Sequence, residues 1–330
     1  MRIRVVVTIS VTALLIAAAV VVALRERQQA PLPEAPVVQT PAEVRVKAVE
    51  RKAEPVEQEV GAVASGAVAI VCGMDEATAD RYETRNDALR SIARRRDLPK
   101  DDIDALLVYL RRADDAMRIE RVAALKNDVM NLLRSQEPLP KDIAGTLIGI
   151  FEGGKHPPVV IDYCIQHLGA MLDELDEKGR LRVRAVLVKA AKRTKQPYAG
   201  TALYSLAEDA RATPAQDKEL KGLALALCKP GANHAARIAA IQLAGERGYA
   251  DALPVLREIL SAPSRDAVLD TVCIGSIGLL GNADDIALIE RFKGDSRRRA
   301  PAVEAAIKRI KEREVAGVFT GFSSDNENQH

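Results

Sequence analysis

The sequence predicts an all-α chain: an α-solenoid of about six helix pairs, preceded by a single N-terminal transmembrane helix and a Pro-rich linker. Three observations predict it. Residues 5–24 form a run without a single charge. Five prolines punctuate residues 28–59. Beyond residue 75 the chain repeats itself at an offset of 41 residues, with apolar side chains at helical spacing.

The uncharged run comes first. Thr8, Ser10 and Thr12 are its only polar members. Its twenty residues, at about 1.5 Å rise each, reach about 30 Å, the thickness of one hydrocarbon core. Arg2 and Arg4 precede it, and Arg25, Glu26 and Arg27 close it. A secretory signal has an apolar core of about 7–15 residues. The longer run predicts that residues 1–27 stay as a membrane anchor. A cleaved signal is the alternative, with Ala17-Ala18-Ala19 as an A-x-A site, and a buried soluble helix is the third reading. Arg2, Arg4 and the α-amine nearly balance Arg25, Arg27, Arg45 and Lys47, so orientation follows the default. A short N-terminal stub stays inside, and the long C-terminal domain is exported from a single-pass cell-membrane protein.

Residues 28–59 carry Pro31, Pro33, Pro36, Pro41 and Pro55 among charges of alternating sign. Proline lacks a backbone donor and fixes φ, so an extended, hydrated, flexible spacer is expected. Residues 60–74 are rich in Ala, Val and Gly and are expected to dock on the domain and cover its first helix. Residues 75–315 are the helical array. Residues 316–330 are polar, rich in Gly, Ser and Asn, and are expected to be a disordered tail.

The repeat is read by eye. Residues 85–101, RNDALRSIARRRDLPKD, align without a gap on residues 126–142, KNDVMNLLRSQEPLPKD. Val122, Leu125, Val129, Leu132 and Leu133 make one helical stripe. A Leu-Pro-Lys-Asp turn follows; Pro suits a first helical turn and Asp can cap the next helix. Ile103, Leu106, Leu107 and Leu110 make the second stripe. One pair of helices cannot bury both stripes, so the pattern demands stacked neighbours. Further helices are expected at 161–176, 180–195, 199–210, 215–228, 234–247, 251–261, 266–280, 284–293 and 300–314.

Residues 235–260, AARIAAIQLAGERGYADALPVLREIL, resemble a HEAT repeat, through Leu243-Ala244-Gly245, a short turn with Asp251, and Leu253-Pro254-x-Leu256. Residues 277–292 repeat the pattern, with Gly281, Ile286 and Ile289 matching Gly245, Leu253 and Leu256. The similarity is clear over about 235–315, while 85–228 keeps the period but carries the LPKD turn instead. The resemblance to HEAT-like, bilin-lyase-type repeats implies a curved right-handed solenoid. It also implies a concave face, lined by the second helices, that binds protein partners. Some relatives are lyases or DNA glycosylases, but no residue here carries either activity over.

Composition limits the chemistry. The net charge is +2, which excludes a generally basic nucleic-acid binder. Aromatics are 3% with no Trp, so a stacking platform is not expected. Four cysteines in 330 residues exclude a disulfide-stapled mini-fold. Cys164, Cys228 and Cys273 fall on apolar stripes and are expected to be core thiols. His156 is expected as a turn or surface residue between helix pairs, and His156, His167, His234 and His330 share no metal-ligand spacing. Asp101, Asp102 and Asp104, and Asp173, Glu174, Asp176 and Glu177, are expected to be helix caps or solvated charges. No catalytic residue, cofactor or metal is expected.

One charge feature stands out. Residues 178–207 hold eight cations and no carboxylate. Arg180, Arg182, Arg184, Lys189, Lys192, Arg193 and Lys195 are therefore the candidate binding residues, for an acidic peptide, a polyanion or lipid headgroups. The competing expectation is a solvated face offset by the acidic residues 173–177. The functional expectation is a membrane-tethered scaffold or adaptor. It holds the membrane through residues 5–24 and a protein partner on the concave face, and nucleic acid is not an expected partner. Polyanion or nucleic-acid binding through 178–195 is the alternative, and a lyase-like enzyme the next.

Overall fold

The computed structural model describes residues 64–113, 115, 117–262, 266–294, 299–315 and 317. The expected anchor at 1–27, the spacer at 28–59, and the tail at 316–330 apart from Gly317 lie outside the described residues. No helix among the described residues is long and apolar enough to cross a membrane.

The described chain is helical throughout. The helices are α1 (Gly66–Val71), α2 (Tyr82–Ile92), α3 (Lys100–Arg111), α4 (Ile119–Arg134), α5 (Ile143–Gly153), α6 (Pro158–Ala170) and α7 (Glu177–Ala191). They continue as α8 (Tyr198–Ala207), α9 (Pro214–Cys228), α10 (His234–Glu246), α11 (Leu253–Ser261), α12 (Ala267–Leu280), α13 (Ile286–Glu290) and α14 (Arg299–Val315). Local chemistry sets their starts. Asp176 accepts from Gly179 N at 2.7 Å ahead of α7. Thr213 and Gln216 form a reciprocal capping box at α9. Asn233 and Asp266 cap α10 and α12 through the amides of their first turns. Pro158 and Pro214 occupy first helical positions, where no backbone donor is needed.

Three boundaries differ from the sequence reading. The helix expected at 161–176 begins at Pro158 and stops at Ala170, because the acidic run behind it caps α7 instead of extending α6. The stretches expected at 251–261 and 284–293 each open with a 3₁₀ turn, Ala250–Ala252 and Ala283–Asp285. In the second, Asn282 and Asp285 satisfy each other's backbone amides, and only five α-helical residues follow.

The helices pack in two layers. Each even-numbered helix packs on the even-numbered one before and after it, from α2 to α14. The odd helices form the second layer, with α1, α3, α5 and α7 in sequence and α11 on α13. This is the arrangement in which the two apolar stripes of a pair are both buried, one against the partner helix and one against the neighbouring pair. A single core runs the length of the array, from Val68 in α1 to Ile310 in α14. Val68 and Val71 bring α1 onto α2 and α3, and Asp102 in the first turn of α3 holds Ser65 N at 2.7 Å.

Small residues bring the even helices close. Gly169 of α6 faces Ser205 of α8, and Gly200 of α8 faces Ala236 and Ala239 of α10. Gly245 of α10 faces Ser276 of α12, and Gly278 of α12 faces Ala306 of α14. A Cβ on Gly278 would lie 2.7 Å from Ala306 Cα, so the backbones meet without a side chain between them. Arginines lace the ends of the same row. Arg211 donates to Leu172 O beyond α6, Arg247 to Ala207 O of α8, and Arg313 to Gly278 O and Gly281 O of α12 at 2.8 Å each. The last carbonyls of a helix have no partner within it, and a neighbouring cation both satisfies them and meets the negative end of the dipole.

Candidate functional site

The structure divides the seven candidate cations. Arg180 and Arg184 are buried, at 3% and 4% exposure, and both donate to Asp209 Oδ2, at 2.8 and 3.1 Å. Arg180 also forks onto Glu177, and Arg184 reaches Gln216 O at 3.2 Å. These two therefore tie α7 to the α8–α9 turn and are not part of an open surface, which corrects the reading of one continuous patch. The physical reason lies in helical phase: positions 180 and 184 share the stripe of Val183 and Leu187 that faces the core. The acid that receives them sits 29 residues beyond Arg180 and 25 beyond Arg184, just past the end of α8.

Arg193 is half-buried, with its guanidinium 4.5 Å from the Phe151 ring centroid and Nη1 donating to Tyr198 Oη. Lys195 donates to Gly231 O. Lys189 pairs with Glu152 at 3.0 Å on the surface. Arg182 and Lys192 are exposed and form no ion pair among the described residues. Four of the seven are thus surface groups, and two of those four are already engaged.

A second cationic cluster, missed in the sequence, surrounds Tyr109. Arg85, Arg112 and Lys126 lie 5.1, 5.2 and 5.4 Å from its ring centroid. Arg85 pairs with Asp115 at 2.8 Å, both side chains being almost wholly buried. Arg85 also donates to Val71 O, Arg112 to Cys72 O, and Lys126 to Leu110 O and Arg112 O. His156 Nε2 lies 3.2 Å from Arg111 O. His156 does lie in the turn between α5 and α6, but buried rather than on the surface, and burial holds its pKa below the usual value, with Lys126 adding to the effect. Burial likewise pushes the Lys126 ammonium down to about 8, against the pull of Asp115. A cleft of about 60 Å³ beside Asp115, Lys126 and His156 has room for little more than water. The cations of this cluster are engaged by Asp115, by Ala79 O and by carbonyls at the ends of α1 and α3, while the Tyr109 hydroxyl is buried without a partner among the described residues. No sequence spacing announces the cluster, because its members come from α2, α3, α4 and two turns.

All four cysteines are buried free thiols, and burial pushes each up to about 12. Among the described residues no group of His, Cys, Asp and Glu converges to hold a metal ion. Asp176 caps a helix as its acidic run predicts, while Asp102 reaches out to α1; Asp266, outside those runs, caps α12.

A larger cleft of about 400 Å³ lies between α2 and α4. Tyr82, Asn86, Leu89 and Arg90 line it from α2, and Asp128 and Leu132 from α4. Its volume falls in the range of ligand clefts, about 300–1,000 Å³. Neither α2 nor α4 contains a glycine, so these two neighbours lack the backbone approach seen further along the row. Arg121 sits 5.5 Å from the Tyr82 ring centroid at one end. Burial raises the Asp128 pKa, opposed by Arg90 across the cleft.

No protein-family model, curated protein or solved structure matches this chain.

Proposed function

We propose that this protein is a membrane-tethered helical-repeat scaffold that binds a protein partner along its even-numbered helices. The observation that carries the reading is the unbroken even row, in which each helix packs on the next from α2 to α14. Such a row presents side chains from seven successive helices as one extended surface, which suits a long partner better than a small substrate. The HEAT-like residues 235–292 support the same reading, with a right-handed solenoid as its form. The glycine contacts support the even row as the inner, concave wall, since the closer-spaced layer of a curved array lies inside. In the 41-residue pairing these are the first helices of each pair, whereas the family resemblance led to the second. The uncharged residues 5–24 support an anchor, with the array held on the exported side by the spacer. No feature of the array demands catalysis.

Site-specific photo-crosslinking in native membranes tests the reading. A photoreactive residue at Gln166, Tyr204 or Gln242 on the even row is expected to give discrete adducts, and one at Leu181 or Ala226 on the odd row is not. Adducts from the odd row alone would overturn it. A reporter active only outside the cytoplasm, fused after His330, tests the orientation.

A further inference from the structure

The cleft between α2 and α4 contains a group that the fold does not use. Asn86 is 7% exposed, lines the cleft, and its side-chain amide makes no hydrogen bond among the described residues. The residue is mostly covered, but its amide atoms stay open to the cleft and offer a donor and an acceptor there. The repeat shows why this amide has no partner. Asn127 stands one repeat on, 41 residues later, and its Oδ1 is met at 3.1 Å by His167 Nε2 of the next even helix. His167 lies 40 residues beyond Asn127; the residue 40 beyond Asn86 is Lys126. Lys126 turns away to Leu110 O and Arg112 O, where it ends α3. The first member of the pair is therefore left open where the second is closed.

We propose that this cleft takes an extended segment of the partner polypeptide, with Asn86 pairing with its main-chain amide. The inference rests on the scaffold reading above and names the chemistry of one point of contact. A side-chain amide offers a donor and an acceptor, which is what a peptide group in an extended chain requires. Leu89 and Leu132 line the cleft with apolar surface for a neighbouring aliphatic side chain, and Tyr82 lines it as well. Arg90 and Asp128 face each other across the rim, so a segment of low net charge is favoured over a polyanion. A cleft lined by the amides of Asn86 and Asn131 beside apolar Leu89 and Leu132 has the anatomy of a peptide-binding groove.

The test uses the full chain in detergent micelles and a displayed library of random dodecapeptides. Selected peptides are synthesised, labelled and titrated by fluorescence anisotropy against the wild type, Asn86→Leu and Arg182→Glu. The expected result is uncharged-to-weakly-charged, aliphatic-rich peptides that lose about fivefold or more in affinity with Asn86→Leu and nothing with Arg182→Glu. The thermal midpoint of Asn86→Leu is expected to equal or exceed that of the wild type, because no intramolecular bond is lost. A midpoint several degrees lower would make Asn86 a structural residue and overturn the proposal. Peptides that bind Asn86→Leu as well as the wild type would overturn it too, while leaving the scaffold reading intact. A library that yields no binder overturns the cleft as a peptide site, and the crosslinking above then decides the scaffold reading independently.

Discussion

His167 Nε2 lies 3.1 Å from Asn127 Oδ1, joining α6 to α4 across forty residues of chain. The contact leaves His167 Nδ1 buried without a partner, and the ring is therefore held neutral. Burial pushes its pKa down to about 4, with Arg134 adding repulsion.

The sign follows from proton counting. Between pH 6.5 and about 4 the unfolded chain binds a proton that the folded chain refuses, so stability falls as the pH falls through that window. The full effect is about 3 kcal/mol at pH 4 and below, at about 1.4 kcal/mol per pH unit. Denaturant midpoints taken between pH 7 and pH 4 are expected to fall for the wild type and to fall less for His167→Gln. Equal slopes would show that His167 is not the group responsible.

Asp209 is the counter-charge for two buried arginines. Asp209→Asn keeps the shape and removes the charge, so it is expected to cost about 3–5 kcal/mol in unfolding free energy. The triple change Arg180→Met, Asp209→Leu, Arg184→Met is expected to recover much of that loss, because it removes the stranded charges as well. Chemical denaturation of the two variants against the wild type checks both.

The glycines divide by their surroundings. Gly278→Ala places a Cβ 2.7 Å from Ala306 Cα and is expected to cost about 1–3 kcal/mol by forcing α12 from α14. Gly149→Ala meets nothing within 4 Å on the exposed face of α5 and is expected to gain about 0.5–1 kcal/mol. Thermal melts of opposite sign would confirm the division; two losses would refute it.

Arg247→Ala removes the donor to Ala207 O and is expected to cost about 1–2 kcal/mol. The loss is local, so hydrogen exchange is expected to speed at the last turn of α8 more than at its first. Uniform acceleration across the array would assign Arg247 a global role instead.

Much of the architecture was legible because period and burial are both sequence properties. The 41-residue offset marks a real clasp: Gln136 Oε1 accepts from Leu98 N, and Gln136 Nε2 donates to Arg95 O and Leu132 O. The apolar stripes located Cys164, Cys228 and Cys273 in the core for the same reason. Charge was less legible, because linear density says nothing of phase. Arg180 and Arg182 are two residues apart, yet one is buried on Asp209 and the other is exposed. Asn86 was invisible as a site, since its distinction lies in what Lys126 does elsewhere. The lacing arginines, such as Arg211 and Arg247, left one trace, a cation just past each helix end.

The four thiols carry a consequence of their own. Each is sealed in the core and protonated at any pH a cell maintains, since the thiolate is the reactive form and burial has put it out of reach. None of the four cysteines offers an oxidant an exposed thiol. In the folded array all four are shielded from thiol–disulfide exchange.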